Sequence, residues 1–366
     1  MEIHLSFLLM LNYNIHIVDK RKSRKLHILG HIVHEYVSTG VPVSSKVVAE
    51  MMGGSISSAT IRNIMAELEE EGYIIQPHTS AGRIPTRFGY RCYVDMAKDQ
   101  IRLKKDEANR LASEYDRRMR TIEELIEKTS FLISRELHNA GIVMWPSVED
   151  FYLKHVQLLK VQAETILAVL VTMTNDVRKY IIKLDRDLEK SELEVISNYI
   201  NSNYEYEAFS QISEELRQVL SDPQRREDRG VIEVARLALN IMDSIIDRKI
   251  GNEIYWEGLD YFMEKAESQN ADLTRYLFRI FAHREDLARI MSRELPDRGL
   301  RIYIGEENDC DMLSECSLIT CGYTLRDRTV GRLGVIGPTR MDYDHALRTV
   351  KCLSDLISLK LTEING

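Results

Sequence analysis

The sequence predicts a multidomain α+β protein that begins with a winged helix-turn-helix domain. Three observations predict it. Residues 44–93 read as two short helices, a strand and a hairpin whose tip carries Gly82 and Arg83; strand-like segments gather at 155–184 and again at 301–336; the chain between them is mainly helical. A length of 366 residues favours two or three domains.

The first helix lies upstream of the module, where Leu29, Ile32, Val33, Tyr36 and Val37 recur at helical spacing and Gly40-Val41-Pro42 ends the run. Ser44 or Ser45 can cap a second helix through Met52, with Val47, Val48 and Met51 available for burial. Gly53-Gly54 then turns the chain sharply. The third helix starts near Ser57 or Ser58 and stops at Gly72 after three consecutive glutamates. Ile61, Met65 and Leu68 form its buried stripe, which leaves Ala59, Arg62, Asn63 and Ala66 on the opposite face.

That outward set suits a DNA major groove. Arg62 can take guanine O6 and N7 as a bidentate pair and Asn63 can pair with adenine, while the two alanines permit close approach. Ser58, Thr60 and the helix N-terminus suit phosphate. Tyr73-Ile74-Ile75 is β-prone and Thr79 to Gly82 is turn-prone, which reads as a wing. Arg83 at the tip would reach a minor groove or phosphates, and Arg87 and Arg91, four apart, would face the DNA backbone. Charge agrees: residues 20–105 hold 14 Lys and Arg against 8 Asp and Glu, a net of +6, whereas residues 106–366 carry −12. An acidic whole chain therefore does not exclude a locally positive DNA-binding end.

These residues carry a family resemblance. The run Glu35-Tyr36, Gly40-Val41-Pro42-Val43, Ser58 to Asn63 and Gln76 to Thr86 resembles the heat-inducible transcription repressor HrcA family of bacteria. So do Ile304 to Asn308, Cys316 to Ile319 and Gly334 to Tyr343 near the other end. The resemblance implies a dimeric winged-helix repressor that binds an inverted-repeat operator on double-stranded DNA upstream of chaperone operons. It also implies a GAF-like antiparallel-sheet domain interrupted by an inserted dimerisation domain, and activity that depends on a GroEL-type chaperonin. The family's Pro-Glu-Phe-like element is missing after Gly258-Leu259, which bears on the packing of the insert.

The remainder fits that architecture. Leu111, Tyr115, Met119, Ile122, Ile126, Ile133 and Leu137 keep a helical period, which predicts one long helix or two in tandem. Arg118 and Thr129 interrupt a clean heptad, so packing on the chain's own domain is favoured over a dimer coiled coil. From His155 a meander of three strands turns at Thr174-Asn175-Asp176. With 301–304, 317–325 and 329–336 it could form one sheet split in sequence. A last helix carries Ala346, Val350, Leu353, Ile357 and Leu361 on one face. The expected divisions are an extension at 1–22, the winged helix at 23–101, a linker helix region at 102–140, GAF-like parts at 141–185 and 299–366, and the mainly helical insert at 186–298, within which Ile254-Tyr255-Trp256 alone looks β-like.

Catalytic, cofactor and metal sites are not expected. Gly331, Gly334 and Gly337 lack the dinucleotide-binding spacing, and no GxSxG, HExxH or GxxxxGK[ST] run occurs. Cys310, Cys316 and Cys321 lack a CxxC pair. His27, His31 and His34 share a face opposite the apolar stripe of the first helix, where a solvated or phosphate-facing row is expected before a metal site. Asp342 is a cap for the last helix, and Arg340 a candidate for interdomain pairing. Residues 1–19 lack the basic start of a signal peptide, and no apolar run is long enough to span a membrane, so a cytoplasmic location is expected. The alternative reading is a ligand-gated regulator that senses a small molecule through the GAF-like domain.

Overall fold

The computed structural model describes residues 20–79, 81–98, 105–115, 119, 121–146, 151–173, 176–221, 229–247, 254–261, 263–264, 284–292, 298–308, 313–325 and 328–365. The lead-in at 1–19, Arg118, Thr174, Asn175 and Cys310 lie outside the described residues. The N-terminal unit orders three helices, a two-stranded hairpin and a fourth helix: α1 (Lys20–Thr39), α2 (Ser45–Met51), α3 (Ser58–Glu70), β1 (Ile74–Ile75), β2 (Ile84–Pro85) and α4 (Arg87–Lys98). Ile28, Leu29, Ile32 and Val33 of α1 are fully buried, because α2, α3, β2 and α4 all pack around this helix. That crowding corrects the histidine row: His31 is buried and His27 and His34 are half-buried, so the three do not form a solvated face.

Two helices in tandem follow, α5 (Lys105–Glu114) and α6 (Ile122–Leu137), with Thr121 capping the second through the Glu124 amide. Both pack within the chain, α6 on β3 (Ala140–Met144) and both on the last helix, α11 (Tyr343–Asn365). A five-stranded antiparallel sheet lies beside them in the order β7-β3-β10-β9-β8, where β7 is Ile254–Glu257, β8 Leu300–Ile304, β9 Cys316–Leu325 and β10 Arg328–Pro338. Every residue of β9 is buried: the expected apolar face of α11 covers one face of the sheet, and Leu287, Ala288 and Met291 cluster with Cys316 and Leu318 on the other. Gly334 is required here, for a Cβ would sit 2.1 Å from the Ile319 carbonyl oxygen of the neighbouring strand.

The meander is not part of this sheet, contrary to the expectation from sequence. Strands β4 (Leu153–Gln162), β5 (Thr165–Thr172) and β6 (Val177–Lys183) form a sheet of their own. Its helices are α7 (Lys190–Tyr204), α8 (Phe209–Ser221) and α9 (Arg229–Asp247). The reason is local. Along β5 the residues Ile166, Ala168 and Leu170 are buried toward one face, and α7 secures the otherwise open edge of β4 through side chains. Asn201 both accepts from the Val156 amide (2.8 Å) and donates to its carbonyl (2.9 Å), and Ser197 accepts from the Leu158 amide (3.1 Å). Residues 254–257, expected inside the helical insert, instead pair with β3 at the edge of the five-stranded sheet. A helix outside both groups, α10 (Arg284–Ser292), packs against β7 and β10.

Candidate nucleic-acid interface

Helix α3 begins at Ser58 because Ser57 is its cap: the Ser57 Oγ accepts from the Thr60 amide at 3.2 Å and contacts the Thr60 hydroxyl at 2.9 Å. Ile61, Met65 and Leu68 anchor the helix on the core, and Gly72 stops it with φ +79°. The opposite face carries Ser58, Ala59, Thr60, Arg62, Asn63 and Ala66, all exposed. Four of the seven predicted site residues, Ser58, Thr60, Arg62 and Asn63, therefore share one open helical surface. Sequence reasoning passed over Lys46, which is exposed at the start of α2 just before this surface.

The hairpin beside it is held at both ends. Its strands pair Ile74 with Pro85 and Ile75 with Ile84, and the Gln76 side chain donates to the carbonyls of Thr79 (3.0 Å) and Ala81 (2.9 Å), curling the loop back on itself. Arg83 then forms an antiparallel bridge with Val43, and Gly82 lies so close to this strand that a Cβ would meet the Val43 carbonyl oxygen at 2.4 Å. Arg83 thus stands at the foot of the loop, next to the closing Ile75–Ile84 pair, and not at its far end, with its Nε donating to Glu69 at 2.9 Å.

Arg87 and Arg91 are displaced further from the predicted role. Both start on α4, and both reach the C-terminal part of the chain. The guanidinium of Arg91 grips Glu307 through two hydrogen bonds and donates to the Ile302 carbonyl at 2.7 Å, while Arg87 pairs with Glu306 at 2.5 Å and Glu315 at 3.4 Å. Burial disfavours the charge on Arg91, but Glu307 and Asp95 outweigh it, and the guanidinium is held above its ordinary pKa.

The acceptor for these arginines is a single 3-10 turn, Gly305–Asn308, together with Glu315. Asn308 pins the turn by donating to the carbonyls of Gly305 (2.6 Å), Leu313 (3.1 Å) and Cys316 (3.1 Å). Next to it Tyr90 of α4 meets Tyr343 of α11 at a ring separation of 5.5 Å, both rings buried. Arg340 makes the interdomain pairing for which it was a candidate: its guanidinium lies 5.9 Å from the Tyr36 ring centre and within 2.0 Å of where a Gly40 Cβ would stand. Glu306, Glu307, Glu315 and Tyr36 are thus the interface residues that sequence reasoning missed. For Glu306 and Glu307 the signal was the conspicuous Gly305-Glu306-Glu307-Asn308 run, which carried the family resemblance but was given no structural role; Glu315 and Tyr36 had no such signal.

Comparison with known proteins shows the family. Residues 123–347 match the family model described as the HrcA protein C terminal domain. The chain belongs to the HrcA family. It is 32% identical over 342 residues to the "Heat-inducible transcription repressor HrcA" of Syntrophobacter fumaroxidans, covering 93% of this chain and 97% of that one. The Moorella thermoacetica protein of the same name is 33% identical over 351 residues, covering 95% and 99%. That of Geobacter sulfurreducens is 34% identical over 331 residues, covering 90% and 95%. A crystal structure described only as that of a hypothetical protein shares the fold, with a TM-score of 0.62 and 24% identity over 93% of this chain and 98% of that one.

Proposed function

We propose that the chain is a transcriptional repressor of heat-shock genes that reads an inverted-repeat operator with α3. The observation that carries this reading is the open surface of Ser58, Thr60, Arg62 and Asn63 on a helix whose other face is fully anchored. Arg62 and Asn63 meet base edges; Ser58, Thr60 and Lys46 meet phosphates, and the small Ala59 and Ala66 admit the groove wall. In this reading the N-terminal unit is a winged helix whose wing is the 74–85 hairpin. Arg83 shapes the wing base, and Arg87 and Arg91 leave the DNA-facing set. The family relationship, with its members named heat-inducible repressors, supports the same assignment.

The five-stranded sheet serves as the GAF-like domain, and the meander with α7 to α9 as the inserted dimerisation domain. The outer face of the meander supports that role. Leu159, Leu167 and Ile181 lie in one row across the three strands, and Val171 and Val177 in another. Leu159 is 42% exposed, Val177 56% and Ile181 57%, so the face carries two apolar rows, parted by the Gln157–Val169–Lys179 row, that a second copy of the chain would cover. A chaperonin then modulates the amount of active dimer. Among the described residues no helix is long and apolar enough to cross a membrane.

The test is a fluorescence-anisotropy titration against an inverted-repeat duplex from upstream of a chaperone operon and a scrambled duplex of equal length, at matched salt, with and without chaperonin. Preference for the operator is expected, and chaperonin raises the fraction of protein competent to bind. Equal, weak, salt-sensitive binding to both duplexes would overturn the repressor reading.

A further inference from the structure

We propose that Arg91 and Arg340 are specificity-determining residues that act without touching DNA: they fix the mounting of the N-terminal unit on the rest of the chain, and with it the half-site spacing that the dimer accepts. The inference rests on the operator-binding reading above and deepens it.

The attachment has the geometry of a rigid mount. Its contacts leave two different helices of the N-terminal unit, α4 through Arg87, Tyr90 and Arg91, and α1 through Tyr36 and the Gly40 stop. They land on three separate segments of the C-terminal part, the 305–308 turn, Glu315 and residues 340–343. Rotation about the Tyr90–Tyr343 contact would break the Arg91–Glu307 fork on one side and pull Arg340 off Tyr36 and Gly40 on the other. The receiving turn is itself fixed. Glu307 accepts from the Ile304 amide at 2.9 Å while it holds Arg91, and Asn308 closes the turn on the Gly305 carbonyl and ties it to the carbonyls of Leu313 and Cys316. Gly305 takes φ +61°, and a Cβ there would meet Arg87 Nε at 2.9 Å, so the turn fits its occupant closely.

A two-fold dimer fixes the relation between its central parts, but the distance and rotation between its two α3 helices depend on how each N-terminal unit is held. Half-sites present the same face once per helical turn, so a rigid mount selects one spacing and a loose mount tolerates several. The conspicuous Gly305 to Asn308 run is accordingly a receptor for the DNA-binding unit and not a ligand or metal site.

The experiment uses the full chain and inverted-repeat duplexes whose spacer is altered by about 2 or about 5 base pairs, the latter half a helical turn, together with a single half-site duplex. The wild-type protein should lose on the order of tenfold in affinity at the half-turn change. Arg91→Ala and Arg340→Ala should flatten this spacing profile, weaken binding to the native spacing, and leave half-site binding unchanged. Arg91→Lys keeps the charge without the planar fork and should fall between. Circular dichroism and sedimentation establish that each variant is a folded dimer; Arg340→Ala, on a separate segment, carries the test should Arg91→Ala not fold. A wild-type spacing profile in folded variants overturns the proposal. So does equal weakening on every duplex, half-site included, which would make Arg91 a direct phosphate contact, or tighter binding, which would mean that the mount holds the N-terminal unit away from its DNA-binding pose. A wild-type protein with no preference for an inverted repeat would instead remove the operator reading beneath it.

Discussion

Arg91 and Glu307 stand 216 positions apart in the chain and meet as a two-bonded guanidinium–carboxylate pair, so that the helix following the hairpin is tied to an acidic turn far along the sequence. A basic helix beside a DNA-binding surface invites the inference that its charges face phosphate. Here two of those charges, Arg87 and Arg91, are paired with Glu306, Glu307 and Glu315 of the same chain, and the proposed DNA-facing set is α3 and its immediate neighbours.

Discrimination should therefore be concentrated in Arg62. Arg62→Ala is expected to reduce the free-energy difference between operator and random DNA by ~1–3 kcal/mol, while the salt dependence changes little. Titrations of both duplexes at several salt concentrations check this, and undiminished discrimination would reassign base reading to other residues.

The hairpin depends on Gly82. An added Cβ would meet the Val43 carbonyl oxygen and carbon at 2.4 and 2.5 Å, both backbone atoms that cannot step aside cheaply. Gly82→Ala should destabilise the N-terminal unit by about 1–3 kcal/mol and weaken operator binding, as read from a urea melt and an anisotropy titration.

The apolar face of the meander should control assembly. Ile181→Lys places a charge in the row shared with Leu159 and Leu167. The dimer dissociation constant should rise on the order of tenfold to a hundredfold, with helix content unchanged. Sedimentation equilibrium decides the matter; an unaltered dimer would locate the interface elsewhere.

Acid stability should report Glu136. Its carboxyl lies between Arg110 and Arg135, and the hydrogen bond from Arg110, aided by that from Arg135, lowers its pKa from 4.5 to about 2 against a smaller opposing effect of burial. A carboxylate with a depressed folded-state pKa stabilises the fold fully above its unfolded value and ceases to do so as pH falls through the folded value. Glu136→Gln should therefore cost about 1–2 kcal/mol near neutrality, less than the full shift implies because Arg110 is half-exposed, and the deficit relative to wild type should close between pH 4.5 and 2. Denaturant melts across that range test it, and parallel curves would mean that the pair contributes nothing.

Local structure was legible wherever the sequence specified it locally. The helical periods of α1 and α3, the Ser44 cap, the glycine stops and the apolar face of α11 all stand where spacing placed them. Position within the hairpin was not legible, because turn-prone residues mark a turn without showing that Gln76 folds it back and leaves Arg83 at the base. Partners distant in sequence were hidden for the same kind of reason. Alternation from His155 reveals a strand but not which strands it joins, and the meander pairs only with itself. Nothing local to Arg87 or Arg91 announces Glu306, Glu307 and Glu315.

The placing of β3 between β7 and β10 has a consequence for biosynthesis. Ile142 cannot meet Gly334 until the meander, its helices, β8 and β9 have all been made, and both flanking strands of β3 follow the meander and its helices in the chain. Such distant pairings carry a large entropic cost before they are rewarded, so the central sheet closes late, and β3 waits meanwhile as a strand of buried-type residues without neighbours. The order of synthesis thus sets the order of closure, for the meander and its helices can fold before β3 gains either of its strand neighbours.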